Sequence, residues 1–377
     1  MKLGGSNLLK LITKQYKSAF TPTSLKLRRV KLALPAFTIV ELLVVIVVIG
    51  ILAAITVVSY NGITNRAIIA SIQSDLSNAA QQLKIFSIDN NTYPLTLDCS
   101  QPDTNINKCI KSSDATNLYY QSDNSSIPEF CITARNRDII YKVSENSSPS
   151  PGGCLTPGLV DEGLVLNLDG GDPVSYSGSG TSWLDLSENI NHATLTNGPT
   201  YNSVDSGSIV FDGTNDYVDF YAPNLTTTAT VEMWAKIGSA YSSKMFMGWL
   251  AYDVFTASGG IGFNTGNSDL YGINSSTVTS LGVVNHWAHY IFEMRSDVSY
   301  SNNKIYINSI AQTLSQLLST ENSGTRIFNG GNGRISGWRQ NGYYMPMEVS
   351  VFRVYNRQLS QAEVTQNFNA VKGRYGL

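Results

Sequence analysis

One run of residues constrains this chain more than any other feature. From Leu42 to Val58 the sequence is apolar, interrupted only by Gly50 and Thr56. Counted from Phe37, the run has 22 residues, which is long enough for a helix to span the roughly 30 Å hydrocarbon core of a bilayer. It is longer than the apolar region of an ordinary secretory signal, and no A-x-A cleavage site follows it. On hydropathy alone, the simplest interpretation is a membrane anchor.

The charges on the two sides of this run are very unequal. Residues 1–36 contain eight Lys or Arg and no Asp or Glu, whereas the rest of the chain contains 18 basic and 28 acidic residues. A basic flank before a membrane segment usually stays in the cytoplasm. The sequence therefore predicts a basic cytoplasmic leader, a single membrane pass and an exported, mildly acidic body, which offers no electrostatic surface for nucleic acid.

The cysteines also point to export. All four, Cys99, Cys109, Cys131 and Cys154, follow the apolar run. An even count in an exported region favours two disulfides, and the absence of a C-x-x-C pair argues against a structural zinc site. Three pairings are open. We favour Cys99–Cys109 with Cys131–Cys154, because each bond closes a short loop.

A single carboxylate, Glu41, stands near the start of the apolar run. An ionised carboxylate in hydrocarbon costs about 2.5–3.5 kcal/mol, and a simple anchor gains nothing from it. The side chain either reaches the headgroups at the membrane edge or has a cationic partner. The residues "PAFTIVE", 35–41, with the apolar helix that follows, resemble the amino-terminal signal of type IV prepilins and pseudopilins.

This resemblance implies proteolytic processing. In that family a membrane peptidase cuts before the Phe on the cytoplasmic face, the new amino terminus is usually methylated, and glutamate is the fifth mature residue. The cut would fall here between Ala36 and Phe37, Phe37 would be methylated, and Glu41 would be the fifth residue. The family usually has Gly before the cut, where this chain has Ala36, and the leader of 36 residues is long.

The same resemblance gives Glu41 a role in assembly. Cleavage creates an α-amine at Phe37 that is largely protonated near neutral pH. When apolar helices bundle in a filament, this amine needs a counter-charge, and Glu41 of a neighbouring subunit can supply it and set the stagger between subunits. The implied partners are other pilin subunits, the prepilin peptidase and the membrane, and the implied location is a cell-surface pilus.

Beyond the membrane the same helix should continue, over 37–88 in all. Apolar residues recur there at steps of three and four, as on a helix with one apolar face: Ile68, Ile72, Leu76, Ala79, Leu83 and Phe86. The turn-forming "DNNTYP" then ends the helix. We expect a small β headpiece stapled by disulfides over 89–145, and a Ser-, Pro- and Gly-rich linker over 146–158 that Cys154 pins to the headpiece. This is an α+β pilin module.

The remainder, 159–377, changes to short alternating strands separated by Gly, Asn, Asp and Ser turns, which predicts an all-β sandwich. In one strand Val231, Met233 and Ala235 alternate with more polar residues. A helix with a capping box of Ser360 and Glu363 should follow the strands. The pieces "SIVFDGTNDYVDF", "TVEMWAKI", "HWAHYIF" and "VSVFRVYNRQLSQAEV" resemble the laminin-G-like, concanavalin A-like jelly-roll superfamily.

That superfamily binds glycans or proteins, sometimes with calcium. Asp212, Asn215 and Asp216 in "DGTNDYVD" are candidate calcium ligands, although Asp-Gly and Asn are also ordinary turn residues. No cofactor is required on this interpretation, and calcium is the one candidate. A loop of small and polar residues, "SGWRQNGYYMP", carries three candidate ligand-binding aromatics: Trp338, Tyr343 and Tyr344.

Catalysis is not expected. Related glucanases carry a Glu-x-Asp-x-x-Glu strand, and the corresponding strand here offers Glu232 alone. The leading hypothesis is a minor pilin-like surface subunit that displays a laminin-G-like adhesin domain for glycan or protein, because so large a domain on every subunit would crowd a filament. The alternatives are an assembly pseudopilin of a secretion or DNA-uptake filament, whose sandwich contacts only protein, and a polysaccharide-acting enzyme.

Overall fold

The structure, a computed structural model, describes residues 38–204, 207–340 and 342–377. The leader 1–36 and the predicted cleavage pair, Ala36 and Phe37, lie outside the described residues. Cleavage between these two residues and methylation of Phe37 therefore stay predictions.

The longest element is helix α1, Ile39–Asn90, close to the predicted 37–88. Among the described residues it is the one helix that is long and apolar enough to cross a membrane. Asn91 follows in a left-handed conformation, with φ of 57°, and ends the helix. The chain divides into two units, Met1–Asn61 and Gly62–Leu377.

The first turn of α1 is closed by a capping box. The Thr38 hydroxyl accepts a hydrogen bond from the amide of Glu41 at 3.2 Å. In return, Oε2 of Glu41 accepts from the amide and the hydroxyl of Thr38, at 2.9 and 2.8 Å. Two of the amides that a helix start leaves unpaired are satisfied in this way. The large apolar side chains of the following turns, such as Leu42 and Ile46, are exposed, which suits a lipid environment.

The later turns of α1 pack on the headpiece. Ile72, Leu76, Ala79 and Leu83 are fully buried, as their spacing predicted. They pack against an antiparallel sheet with strand order β1-β2-β3-β4. Its strands are β1 Asn117–Asp123, β2 Glu129–Asn136, β3 Ile139–Ser144 and β4 Ser150–Pro151. The last strand lies in the segment predicted as a linker, so this segment completes the headpiece sheet.

Two disulfides staple the headpiece, Cys99–Cys109 and Cys131–Cys154. This is the pairing that the short loops favoured. The amide of Cys154 also donates to the hydroxyl of Thr133 at 2.8 Å. The segment between headpiece and sandwich is thus fixed to strand β2 by a covalent bond and a hydrogen bond.

The headpiece and the sandwich share an interface. Ile140 of β3 is fully buried in a cluster with Val174, Leu184 and Leu186 of the sandwich. The Arg135 guanidinium donates to the carbonyls of residues 173 and 174, at 2.9 Å each. Burial of apolar side chains with a charged donor on two carbonyls makes a specific contact.

The sandwich consists of two large antiparallel sheets, which confirms the predicted all-β architecture. One sheet has nine strands in the order β19-β15-β14-β13-β12-β20-β10-β7-β6. The other has eight: seven in the order β18-β17-β16-β11-β21-β9-β8, and β5, which pairs with β21. The strands are β5 Leu164–Asp169, β6 Ser182–Trp183, β7 Ala193–Thr196, β8 Thr200–Asn202, β9 Ser208–Asp212, β10 Tyr217–Tyr221, β11 Thr228–Ile237, β12 Met245–Gly248, β13 Asp253–Ala257, β14 Gly260–Asn264, β15 Leu270–Ile273, β16 Trp287–Arg295, β17 Lys304–Ile307, β18 Ile310–Ala311, β19 Ser315–Leu318, β20 Asn332–Ile335 and β21 Pro346–Tyr355.

The core lies between the two sheets. Val231, Met233 and Ala235 of β11 point into it, together with residues of β13 and β14. A short helix α2, Ser275–Leu281, follows β15, and helix α3, Gln361–Val371, follows β21. Helix α3 begins with the predicted capping box of Ser360 and Glu363. It packs on the outer face of the eight-stranded sheet, where its Phe368 stacks on Trp234.

Candidate ligand-binding pocket

A pocket lies on the outer face of the nine-stranded sheet, and strand β13 forms its floor. Along β13, Val254 and Thr256 are fully buried on the core side. Asp253, Phe255 and Ala257 alternate with them and line the pocket. The fold thus places one acidic and one aromatic side chain two residues apart on the same face.

Small residues on the neighbouring strands leave room above this floor. Gly248 of β12 is paired with Asp253, and a Cβ at Gly248 would come within 2.1 Å of the Cβ of Asp253. Gly262 of β14 is paired with Phe255. Any larger residue at Gly248 would displace the Asp253 side chain, so that this glycine is required by the close approach of the strands.

One wall of the pocket is the loop between β20 and β21, which carries Trp338 and Tyr343. The Trp338 indole N–H donates to the carbonyl of Leu250 at 2.6 Å. The carbonyl of Tyr343 accepts from the amide of Met245 at 2.8 Å, and its ring meets Phe255 edge-on with centroids 5.4 Å apart. These bonds fasten both ends of the aromatic wall to the strand β12 region.

Arg334 of β20 supports the same loop from behind. Its guanidinium donates from Nη1 to the carbonyl of Trp338 and from Nε to Oδ1 of Asp219, both at 3.0 Å. The guanidinium also lies over the ring of Tyr217, 3.6 Å from the ring centroid. An arginine fork that binds a carboxylate, a carbonyl and an aromatic face at once holds the loop in one position.

The opposite wall is the turn between β14 and β15. Asp269 accepts hydrogen bonds from the amides of Thr265 and Asn267 and from the Thr265 hydroxyl, at 2.9 to 3.1 Å. Ser268, at the tip of the turn, is exposed and lines the pocket. Both carboxylate oxygens of Asp269 therefore accept hydrogen bonds within the turn, and the residue also lines the pocket.

The volume of the pocket is about 420 Å³, which suits one or two sugar rings. Asp253 is 1 % exposed, and the Asn264 amide donates to its two oxygens at 3.1 and 3.3 Å. Burial raises the pKa of Asp253 to about 8, with a further upward contribution from the charge of Asp269 against the Asn264 bond. At neutral pH Asp253 is therefore mostly protonated and offers a hydrogen-bond donor as well as an acceptor.

Two of the three predicted ligand-binding aromatics lie at the pocket, and the third does not. Trp338 and Tyr343 both line the pocket, and Tyr343 is 50 % exposed. Tyr344 does not line it; its ring stacks on Tyr217 with centroids 6.3 Å apart. The backbone of Tyr343 is left-handed, with φ of 57°, so that the chain changes direction between the two tyrosines. Whether any of the three contacts a ligand stays a prediction.

The predicted calcium ligands lie in the turn between β9 and β10, outside the pocket. Oδ1 of Asp212 accepts from the amides of Thr214 and Asn215, at 2.7 and 3.4 Å. Oδ2 of Asp216 accepts from the amide of Asp212 at 3.1 Å. These bonds are turn chemistry. In the part of the chain that the structure describes, no group of three His, Cys, Asp or Glu side chains is arranged to hold a metal ion.

Four residues of the pocket were not predicted from the sequence: Asp253, Phe255, Asn264 and Asp269. In "DVFTA", 253–257, the alternation of a strand places Asp253 and Phe255 on one face, and this pattern was the signal that the sequence offered. It did not show that β14 brings Asn264 opposite Asp253, because that depends on strand order and register.

Several comparisons bear on this domain. Residues 212–365 match a family model described as the concanavalin A-like lectin/glucanases superfamily, and this range includes every residue that lines the pocket. No curated protein matches the chain. A laminin-G-like, concanavalin A-like fold was expected from the sequence, and the match confirms it over these residues.

Solved structures give a weaker likeness. The receptor-binding domain of botulinum neurotoxin mosaic serotype C/D is 12% identical, with a TM-score of 0.41 over 56% of this chain and 51% of that chain. The receptor-binding domain of botulinum neurotoxin type G is also 12% identical, with a TM-score of 0.36 over 55% of this chain and 51% of that one. The chain spans about half the length of these structures, and the likeness carries no argument on function. The family match and the two antiparallel sheets together establish that residues 212–365 form a concanavalin A-like domain.

Proposed function

We propose that this chain is a membrane-anchored, pilin-like surface subunit whose concanavalin A-like domain binds a glycan in the pocket on the nine-stranded sheet. The observation that carries the proposal is the composition of the pocket: the aromatic rings of Phe255, Trp338 and Tyr343 stand beside a polar pair, the buried Asp253 and the half-buried Asn264.

A sugar ring suits this composition. Its faces carry C–H groups that stack on aromatic rings, and its edges carry hydroxyls that both donate and accept hydrogen bonds. Trp338 and Tyr343 offer the rings, whereas Asp253 and Asn264 offer a carboxyl and an amide at the floor. The polar pair is fixed before a ligand arrives, because the two side chains already bond to each other.

We propose binding without hydrolysis. Glycosidases need two carboxyl groups free to act on either side of the scissile bond. Both oxygens of Asp269 are occupied by its own turn. Glu232, the lone acidic candidate in the sequence, is fully buried on the other sheet. There it accepts from Arg353 at 2.9 Å and from Asn367 of α3 at 2.8 Å.

The electrostatics of Glu232 support this view. Burial alone would raise its pKa, but the charge of Arg353 and the hydrogen bonds from His289 and Asn367 more than offset burial and hold the pKa below its usual value. Glu232 is thus an ionised partner in a buried network beneath α3. Removing one member of such a network is costly, which gives Glu232 a structural role.

The pilin-like part of the proposal rests on the amino-terminal residues. The basic leader, the "PAFTIVE" segment and helix α1 together fit a subunit that a prepilin peptidase processes and that other pilin subunits take up. The capping bonds of Glu41 involve Thr38, which stays in the chain after a cut between Ala36 and Phe37. The Glu41 side chain is exposed, so that a neighbouring subunit's α-amine can approach it.

The test is binding of the purified full chain, held in detergent, to an array of oligosaccharides, with calcium and with chelator. We expect saturable binding that Trp338→Ala or Tyr343→Ala weakens at least about tenfold, since stacking on an aromatic ring contributes on the order of 1 kcal/mol or more. Tyr221→Ala removes an exposed aromatic outside the pocket and should leave binding unchanged.

Three outcomes count against parts of this proposal. Equal loss of binding in the Tyr221 and Tyr343 variants would place the site elsewhere. Binding only to proteins would favour the assembly pseudopilin, whose sandwich contacts protein alone. Binding that the chelator abolishes would support the calcium ligands Asp212, Asn215 and Asp216.

A further inference from the structure

The charge of the pocket is more selective than its shape. Asp253 and Asp269 line it and are 1 % and 2 % exposed, respectively. None of the described residues that line it is Lys, Arg or His. The charged-type side chains among the described lining residues are therefore both carboxyl groups, and a bound ligand faces no basic side chain there.

Three cations close to the pocket make contacts elsewhere in the protein, and Arg339, which follows Trp338 in the loop, is not one of the lining residues. Arg334, in the row of paired residues that runs from Asp253 through Gly248, is bound to Asp219. Lys244 reaches the carbonyl of residue 213 with its Nζ at 3.4 Å. Arg326 pairs with Glu321 at 3.4 Å. Recruiting Arg334 or Lys244 to a ligand would break a contact that the protein already makes, whereas Nη1 of Arg326 is buried without a hydrogen-bond partner.

We infer that the pocket takes an uncharged sugar and excludes sugars that carry a carboxylate, such as sialic and uronic acids. This inference rests on the proposed glycan-binding function and adds the ligand class to it. A ligand carboxylate inside the pocket would lose its hydration and meet Asp269 with no cation among the described lining residues to compensate. A hydroxyl at the same place finds the Asp253 carboxyl and the Asn264 amide instead.

Specificity of this kind acts through repulsion. A site rejects a wrong ligand when that ligand leaves a charge unpaired, even though the rest of the ligand fits. Two like charges about 6 Å apart in a partly buried site repel enough to lower affinity by roughly tenfold or more. The charge of the ligand, at constant shape, is therefore the variable to test.

Three matched probes separate charge from size: lactose, sialyllactose, and sialyllactose whose carboxylate is a methyl ester. Binding of each to the full chain in detergent is measured by calorimetry, along with any array glycan that binds and its sialylated and esterified forms. We expect the anionic form to bind at least about tenfold more weakly than its methyl ester. The ester has nearly the same size, so this gap reports the charge.

Two variants at the pocket rim give the reverse test. Ser268→Lys places a cation beside Asp269 and should reduce the difference in affinity between the anion and its ester. Ser268→Gln, which has a similar length and no charge, should leave that difference unchanged. An anionic form that binds the natural chain as tightly as its ester would overturn the inference and leave glycan binding in place. An ester excluded as strongly as the anion would overturn it too. If no glycan of any charge binds, the proposed function fails, and the inference with it.

Discussion

At the residue scale, Glu41 has an observed role in capping and a proposed role in assembly, which a substitution can separate. As the third residue of the helix it completes a capping box with Thr38, and glutamine can do the same at that position. As a counter-charge for a neighbouring α-amine it must be ionised, and glutamine cannot replace it. Capping and charge therefore depend on different properties of one side chain.

We expect Glu41→Gln to keep membrane insertion and helix formation but to abolish incorporation into filaments. The measurement is the fraction of the chain found in sheared surface filaments against the fraction in membranes, with Thr38→Ser, which keeps the cap and the charge, as the control. Normal incorporation of the Gln variant would show that Glu41 acts through the cap alone.

Asp253 makes stability depend on pH in a predictable direction. Its pKa is raised by burial from the ordinary 3.8 to about 8 in the folded protein. Between these values the folded state keeps a proton that the unfolded chain has lost, so that stability falls as pH rises across this window. Asn at this position accepts from Asn264 as before and does not titrate.

Asp253→Asn should therefore gain thermal stability over the natural chain as pH rises from about 4 to about 8, with little gain at the acidic end. Thermal unfolding of the full chain in detergent at several pH values measures the difference in Tm. Asp123→Asn, at an exposed turn, is the control and should show no such rise. A difference in Tm that stays constant with pH would mean that Asp253 ionises normally.

At the scale of elements, the loop between β20 and β21 depends on a residue that does not line the pocket. Arg334 binds Asp219, the Trp338 carbonyl and the face of Tyr217 together. Lysine retains the charge but not the planar fork, so that it can satisfy one of these partners at a time. The position of Trp338 therefore depends on the shape of the arginine as well as on its charge.

We expect Arg334→Lys to weaken glycan binding by about tenfold, which corresponds to the loss of one hydrogen bond from a charged donor. Arg295→Lys alters a similar arginine–aspartate pair, with Asp297, away from the pocket and is the matched control. Calorimetric Kd and Tm are measured for both. If both variants lose Tm equally and neither loses affinity, Arg334 has no part in positioning the loop.

Local sequence patterns predicted much of the architecture at the scale of helices and strands. The steps between Ile72, Leu76 and Leu83 identified the helix face that packs on the headpiece, because that spacing depends only on helix geometry. Turn residues and alternation identified the sandwich. The pocket could be predicted only in part: Trp338 and Tyr343 stood out in a polar loop, but their neighbour Phe255 is 83 residues earlier than Trp338 in the chain and meets them only through the order of β12, β13 and β20.

At the scale of the whole molecule, function is divided along the chain. The first described residues suit a lipid or helix-bundle environment, whereas the pocket lies far along the sequence in the concanavalin A-like domain. Between them, the headpiece contacts the sandwich through Ile140 and Arg135. This packing was not foreseen, because it joins residues from two segments that each looked complete alone.

The disulfides have a mechanical consequence. A pull applied between the sandwich and helix α1 travels along the covalent chain. At Cys154 it crosses directly to Cys131, so that residues 132–153, which include β3 and β4, carry no load. At Cys109 it crosses to Cys99 and bypasses the intervening loop in the same way. Under flow, the two bonds shorten the length of chain that a pull can extend.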